Sequence, residues 1–384
     1  MKNLKITSLI AVVILVPALV CMSKASDVWT QVTSPDIGSS DNVLHSVAAN
    51  SASDIWAVGH FAPDSNPNIT QTLVNHFDGT AWSVVPSPNV GTLANAFYSV
   101  TVKSGKAFAV GYFLDDTTFT PRALIEAWDG TQWTVVSSPP AKGVLFSVSA
   151  LSPSDVWAAG FLIDSNGRSR TLTEHFNGTS WSVVASPNPG STDNLLYGVK
   201  AISASSVWAV GQRLGTSGPD RALIEHWNGS SWSVVSSPSD GASSTALYAV
   251  SGVSDDDLRA GGDAQDFVNS PLALLEDGQS GNWSLQRAFN ISGTENHING
   301  IASLSNDVAW AVGQFTDPSS GNAFTLIERG GDSAWVQEPS PNPGAANGDS
   351  KLGGVAVVSS SDVWAVGQFD GVNAAQTLIL HCCK

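Results

Sequence analysis

TLILHCCK, Thr377–Lys384, is the stretch on which the reading of the fold depends. Five earlier stretches begin in the same way. They are TLVNHFDGTAWSVV from Thr72, ALIEAWDGTQWTVV from Ala123, TLTEHFNGTSWSVV from Thr171, ALIEHWNGSSWSVV from Ala222 and, more loosely, TLIERGGDSAWVQE from Thr325. Each of those runs through a turn into a second strand, and the last copy stops before its turn. The missing piece stands at the other end of the sequence, where DVWTQVTSP (Asp27–Pro35) has the pattern of SWSVV.

Two markers set the period. The aromatic position of SDVWAVG falls at Trp56, Phe108, Trp157, Trp208, Leu258, Trp310 and Trp364, in steps of 49–54 residues. The tryptophan of SWSVV falls at Trp82, Trp133, Trp181, Trp232, Trp283 and Trp335, with Trp29 as the seventh member. Each period reads as four short strands, resembling LLYGVKA, VWAVG, TLIEHW and SWSVV. Val, Ile, Trp and Thr suit pleated, half-buried positions. Asp78-Gly79, Asp129-Gly130, Asn177-Gly178 and Asn228-Gly229 sit between the third and fourth strands and accept the positive φ of a tight hairpin. Four-stranded units of about 50 residues, seven times over, predict an all-β, seven-bladed β-propeller. The ring is expected to close by pairing residues 26–36, as an outer strand, with the last blade. Closure removes an exposed blade face and sheet edge.

The copies of SDVWAVG, LIEHWNG and SWSVV resemble a class of secreted bacterial propeller repeats, distantly similar to kelch and Asp-box propellers. The resemblance spans residues 27–384 and implies architecture. It implies no single activity, because propellers host enzymes, lectins and scaffolds alike.

Residues 1–25 read as a signal peptide. Lys2 and Lys5 precede an apolar run from Ile6 to Val20, too short to span a bilayer, and Ser23-Lys24-Ala25 offers small residues for cleavage before Ser26. The expected location is extracellular. Lipid anchoring at Cys21 is the alternative, although Val20 is a poor residue before a lipidated cysteine. Residues 26–384 are then the propeller. The chain has 17 basic and 33 acidic side chains; without Lys2, Lys5 and Lys24 the balance is 14 against 33, net −19. Such a field repels nucleic acid and anionic membranes and keeps a protein soluble. The expected partners are a glycan or an extracellular protein, with no nucleic acid and no membrane span, and the expected state is a monomer. Cys382 and Cys383 form no disulfide framework. Adjacent cysteines on a strand point to opposite faces, so a bond between them needs a turn; free thiols or a link between chains are the alternatives.

Repetition argues for structural roles. Gly59, Gly111, Gly160, Gly211, Gly261, Gly313 and Gly367 end the second strands and are read as sites of a bend or close contact. Asp54, Asp155, Asp307 and Asp362 are read as turn caps. Glu126, Glu174, Glu225, Glu276 and Glu328 recur in the third strand, as do His76, His175, His226 and His381. A catalytic carboxylate or metal ligand is needed in one blade or two, not in five.

The long connections, from second to third strand and from blade to blade, emerge on one face, here the upper one. Long loops on a rigid scaffold are where sites are built. One position on the innermost strand breaks the symmetry: His45, Tyr98, Phe146, Tyr197, Tyr248 and Asn299, with Gly353 in the seventh blade. These residues are expected at the mouth of the central channel, where rings and hydroxyls stack on and bond a sugar. The competing reading is that they fill space between inner strands. The upper loops carry Asp64, Asp115, Asp116, Asp164, Asp220, Asp263, Asp266, Asp317 and Asp370. Asp164 and Asn166, in DSNG, form a fragment of a calcium loop without its later ligands. Otherwise no cofactor is expected. No sialidase motif, Ser–His–Asp signature or zinc spacing is present. The function expected from the sequence is a binding or interaction module. A carbohydrate-active hydrolase or lyase using upper-face carboxylates is the first alternative, and a structural surface protein the second.

Overall fold

A computed structural model describes residues 28–139, 142–216, 219–238, 244–265, 271–291, 294–331, 334–344 and 348–383. The expected signal peptide, Cys21 and Asp266 lie outside them. Seven four-stranded antiparallel sheets are arranged as blades. The innermost strands are Asn42–Ser51, Asn95–Lys103, Gly143–Ser152, Asn194–Ser203, Thr245–Ser254, Asn296–Ser305 and Ser350–Ser359. Each is followed by its second, third and outer strands in order. In the seventh blade the outer strand is Trp29–Val32, in register with Ala375–Cys382 (Trp29 opposite Cys382, Val32 opposite Ile379). Side chains reinforce that seam. The Ser34 and Thr377 hydroxyls lie 2.5 Å apart, and Ala375 N–H donates to Asp41 at 2.8 Å. No helix among the described residues is long and apolar enough to cross a membrane.

The two tryptophan series hold neighbouring blades together. Trp56 meets Trp133 of the next blade edge-on, Trp157 meets Trp232, and Trp364 meets Trp82 across the seam between blades seven and one. The third-strand histidines stack on the same rings, with centroids 3.9–4.4 Å apart. They also bond to the residue that begins the second strand: His76 to Asp54, His175 to Asp155 and His381 to Asp362. These aspartates therefore hold a histidine in place rather than cap the turn as the sequence had implied.

The fifth blade corrects two expectations. The residue in register with the tryptophans is Arg259, which pairs with Ser251 as Trp208 pairs with Lys200; Leu258 does not hold that place. Arg259 is 1% exposed and bonds the Asp257 carboxylate and the Asn306 carbonyl. Asp277 stands opposite it, where four other blades have histidine. A buried ion pair thus replaces an aromatic stack, and no ring remains in DLRAGG to mark the register.

The glycine shifts by the same one residue, to Gly262. A Cβ there would lie 2.0 Å from the Ala246 carbonyl oxygen, as one on Gly59 would lie 1.9 Å from that of Val43. The cause is a β-bulge in every inner strand. The ladder slips at Leu44/Ser46, Phe97/Ser99, Leu145/Ser147, Leu196/Gly198, Leu247/Ala249, Ile298/Gly300 and Leu352/Gly354. The bulge presses a carbonyl onto the second strand, and only glycine leaves room for it.

Cys382 and Cys383 are joined by a disulfide, one of the three states the sequence left open. The strand ends at Cys382, and Cys383 has φ +78°, so the backbone leaves the extended form at the second cysteine and the two side chains no longer point to opposite faces.

Candidate functional site at the channel mouth

The residue skipped by each of the seven bulges is the position singled out in the sequence: His45, Tyr98, Phe146, Tyr197, Tyr248, Asn299 and Gly353. A bulge re-aims side chains that an unbroken strand would turn into the blade. The preceding residue, such as Leu44 or Phe97, is buried in the core. The bulge residue instead faces the axis, and all seven line one cavity of about 320 Å³ at the upper mouth. Five rings form a continuous arc. Centroids are 5.2 Å apart from His45 to Tyr98 and from Tyr98 to Phe146, 5.3 Å from Phe146 to Tyr197 and 5.4 Å from Tyr197 to Tyr248. The arc packs tightly and lines a cavity at once, so space filling and access coexist.

A second ring escaped the sequence reading. It consists of the residue after each second-strand glycine: His60, Tyr112, Phe161, Gln212, Asp263, Gln314 and Gln368. His60 stands 5.1 Å from His45, Tyr112 stacks 5.9 Å from Tyr98, and Phe161 lies 5.7 Å from Phe146. The aromatic residue after glycine in three successive repeats was the available signal. The mouth is therefore two-sided. Blades one to five carry the rings of the arc; blades six and seven line the same cavity with Asn299, Lys351 and Gln368, and Asp263 and His297 are linked to it through the Tyr248 hydroxyl.

Asp263 joins residues that looked unrelated along the chain. Its Oδ2 accepts the Tyr248 hydroxyl at 3.1 Å and lies 2.7 Å from His297 Nδ1. His297 and His60 carried too little context in the sequence for assignment. His60 Nδ1 lies 3.1 Å from His45 Nε2. Burial, and then the adjacent His60 ring, hold the His45 imidazole down to about 3. Burial also lowers His60, against the pull of Asp41. Both rings are then neutral at pH 7, and one donates to the other. Burial and then Tyr112 push Tyr98 up to about 12. Burial and then Asp263 raise both Tyr197 and Tyr248. These phenols remain O–H donors across the physiological range.

Four other upper-face carboxylates are engaged by loop amides or by arginine. Asp64 accepts the Ser39 and Ser40 amides, and Asp116 accepts that of Thr92. Asp115 pairs with Arg122 at 2.8 Å. Asp164, the calcium candidate, accepts the Asn166 and Arg168 amides and pairs with Arg170 at 2.9 Å. Asn166 contributes its backbone to that turn. Among the described residues, no group of three or more His, Cys, Asp or Glu is placed to hold a metal ion.

No protein-family model and no curated protein sequence matches the chain. Solved structures match its shape. A structure of YCF48 bound to D1 peptide is 13% identical, covers 93% of this chain and 95% of its own, and has a TM-score of 0.55. Polysaccharide lyase Uly1 is 10% identical over 88% of this chain and 89% of its own, with a TM-score of 0.54. The propeller domain of the trilobed protease from Pyrococcus furiosus, which has an open velcro topology, is 10% identical over 88% and 94%, with a TM-score of 0.51. At this identity the likeness concerns the fold. In the present chain Trp29–Val32 completes the seventh blade.

Proposed function

We propose that the protein is a secreted binding module whose upper channel mouth takes a glycan. The observation that carries this reading is the division of one cavity into an aromatic arc and a polar arc. A sugar has an apolar face of C–H groups and a rim of hydroxyls, and such a mouth meets both. The neutral His45–His60 pair and the protonated tyrosines supply hydrogen bonds without adding negative charge. Calcium plays no part in this reading. Propellers of this shape include polysaccharide lyases and one that carries a peptide. An extracellular protein segment is therefore the other occupant to test.

The test is calorimetric titration with a panel of neutral and acidic oligosaccharides and an unrelated peptide set. Tyr197→Ala with Tyr248→Ala is expected to weaken binding about tenfold or more, from the loss of two stacking contacts. Tyr197→Phe with Tyr248→Phe keeps the rings and separates stacking from hydrogen bonding. Unchanged affinity in the alanine pair, with the fold intact, would remove the mouth as the site.

The Asp263 bridge favours a lyase as the second reading. One carboxylate orients both an imidazole, a base, and a phenol held in its acid form. In a β-elimination the free nitrogen of His297 would take the proton beside a uronate carboxyl, and Tyr248 would protonate the departing oxygen. Product with a new carbon–carbon double bond, measured by ultraviolet absorbance and lost in His297→Ala, distinguishes this reading from simple binding.

A further inference from the structure

Below the aromatic arc the channel continues as a second cavity of about 270 Å³, walled by the inner strands alone. Past each bulge the next residue faces this cavity, and in blades two to six so does the one two places further on. The Val or Ile between them is turned into the blade. The first layer holds Ser46, Ser99 and Ser147, and otherwise only Gly or Ala. In the second layer Thr101, Ser149, Lys200 and Ser251 come from four consecutive blades.

The hydroxyls share one hydrogen-bonding state. Each accepts a backbone N–H from the next blade, at 3.0–3.3 Å. In the second layer, Ala150 donates to Thr101, Ala201 to Ser149 and Ser303 to Ser251. In the first, Val100 donates to Ser46, Val148 to Ser99 and Val199 to Ser147. An accepting hydroxyl still has its own O–H to give. Among the described residues none of the six gives it to a protein acceptor. Lys200 has no ion-pair or hydrogen-bond partner among the described residues, and no Asp or Glu lines the cavity. Burial, and then the like charge of Lys103, lower the Lys200 ammonium. That standing deficit is what a bound negative charge relieves. At about 0.1 M salt, fields are screened within about 10 Å, so the surface carboxylates do not cancel donors this close.

We infer that this lower cavity is an oxyanion site, taking a sulfate, phosphate or carboxylate group between the Lys200 ammonium and the hydroxyls of Thr101, Ser149 and Ser251. Charge-assisted bonds from an ammonium to such oxygens are the stronger class of hydrogen bond. The group arrives either as a free inorganic anion or as a substituent of a larger ligand. The inference does not rest on glycan binding at the mouth, and its probes keep the two apart.

The experiment is calorimetric titration of the full chain, in about 0.1 M sodium chloride so that surface charge stays screened, with inorganic sulfate and separately with galactose 6-sulfate. One site per chain is expected for at least one probe. Lys200→Met is expected to weaken it tenfold or more, and Lys200→Arg to retain it. Ser149→Ala with Ser251→Ala is expected to weaken it several-fold, and serves if the lysine variant misfolds. Binding of both probes assigns a free anion. Binding of the sugar sulfate alone assigns a ligand-borne group. Binding of neither, or equal binding by Lys200→Met, overturns the site. Loss of glycan binding in the tyrosine variants with sulfate binding retained would leave the inference standing.

Discussion

Trp29→Ala is expected to lower the unfolding free energy by about 3–5 kcal/mol, the usual range for truncating a buried tryptophan, and to loosen the seventh blade selectively. Trp29 is 4% exposed and packs in a cluster with Leu378, Leu380 and Cys382 of its own blade and Trp310 of the sixth. Its indole N–H donates to Glu338 at 2.8 Å. Only the short strand Trp29–Val32 holds the seventh blade's outer edge, and no turn joins it to its neighbour. Trp181→Ala is the control. Trp181 holds the same place in the third blade and is 6% exposed, but a hairpin tethers its strand. Both variants lose core contacts. Trp29→Ala should also speed amide exchange along Leu378–His381, and Trp181→Ala should not. Urea unfolding with site-resolved exchange decides it. Equal stability losses with undisturbed exchange at the seam would mean that the ring closes without this contact.

The second large effect is a fall in stability with rising pH between about pH 6.5 and 8. Glu126 and Glu225 are wholly buried between blades, and burial pushes each carboxyl up to about 8 from an ordinary value of 4.5. Glu174 and Glu328, relieved by bonds from Ser138 and from the Phe289 amide, rise to about 7. A raised carboxyl keeps its proton in the folded chain where the unfolded chain has lost it. The folded state then binds more protons, and stability falls as pH rises toward the folded value. The lowered histidines His45, His60 and His226 act in the opposite sense, but only below about pH 6.5. Above that the histidines no longer contribute, and the group that opposes the glutamates is Lys200, whose ammonium burial lowers. From pH 6.5 to 8 each of the two highest loses on the order of 2 kcal/mol. Glu126→Gln with Glu225→Gln, which keeps the shape and removes the titration, should flatten the profile and raise stability at pH 8. Denaturant unfolding at pH 6.5 and 8.5 measures it. A wild-type profile that is flat or rising over that interval would show that these carboxyls ionise without cost.

The blade count, the order of strands within a blade and the closing partner of TLILHCCK were legible in the chain because they are periodic and local. Alternation, tight-turn dipeptides and a tryptophan every 50 residues or so recur whatever lies next to them. The inner-strand ring was legible for the same reason, as a variable position inside a constant frame. Where a blade substituted one solution for another the frame slipped. Arg259 and Asp277 do the work of a tryptophan and a histidine, and nothing in DLRAGG announces it.

What only the tertiary structure decided is how residues from different blades meet at the axis. One extra residue in each inner strand, invisible to a two-residue alternation, turns two neighbouring side chains to the channel and fixes the glycine opposite. Asp263 and His297 are 34 residues apart and come together only because one blade's second strand ends beside the next blade's first. The spare O–H groups around Lys200 likewise depend on backbone N–H groups supplied by the adjoining blade. A repeat encodes its own unit; contacts across the ring arise from closure, which brings distant stretches of chain to one axis.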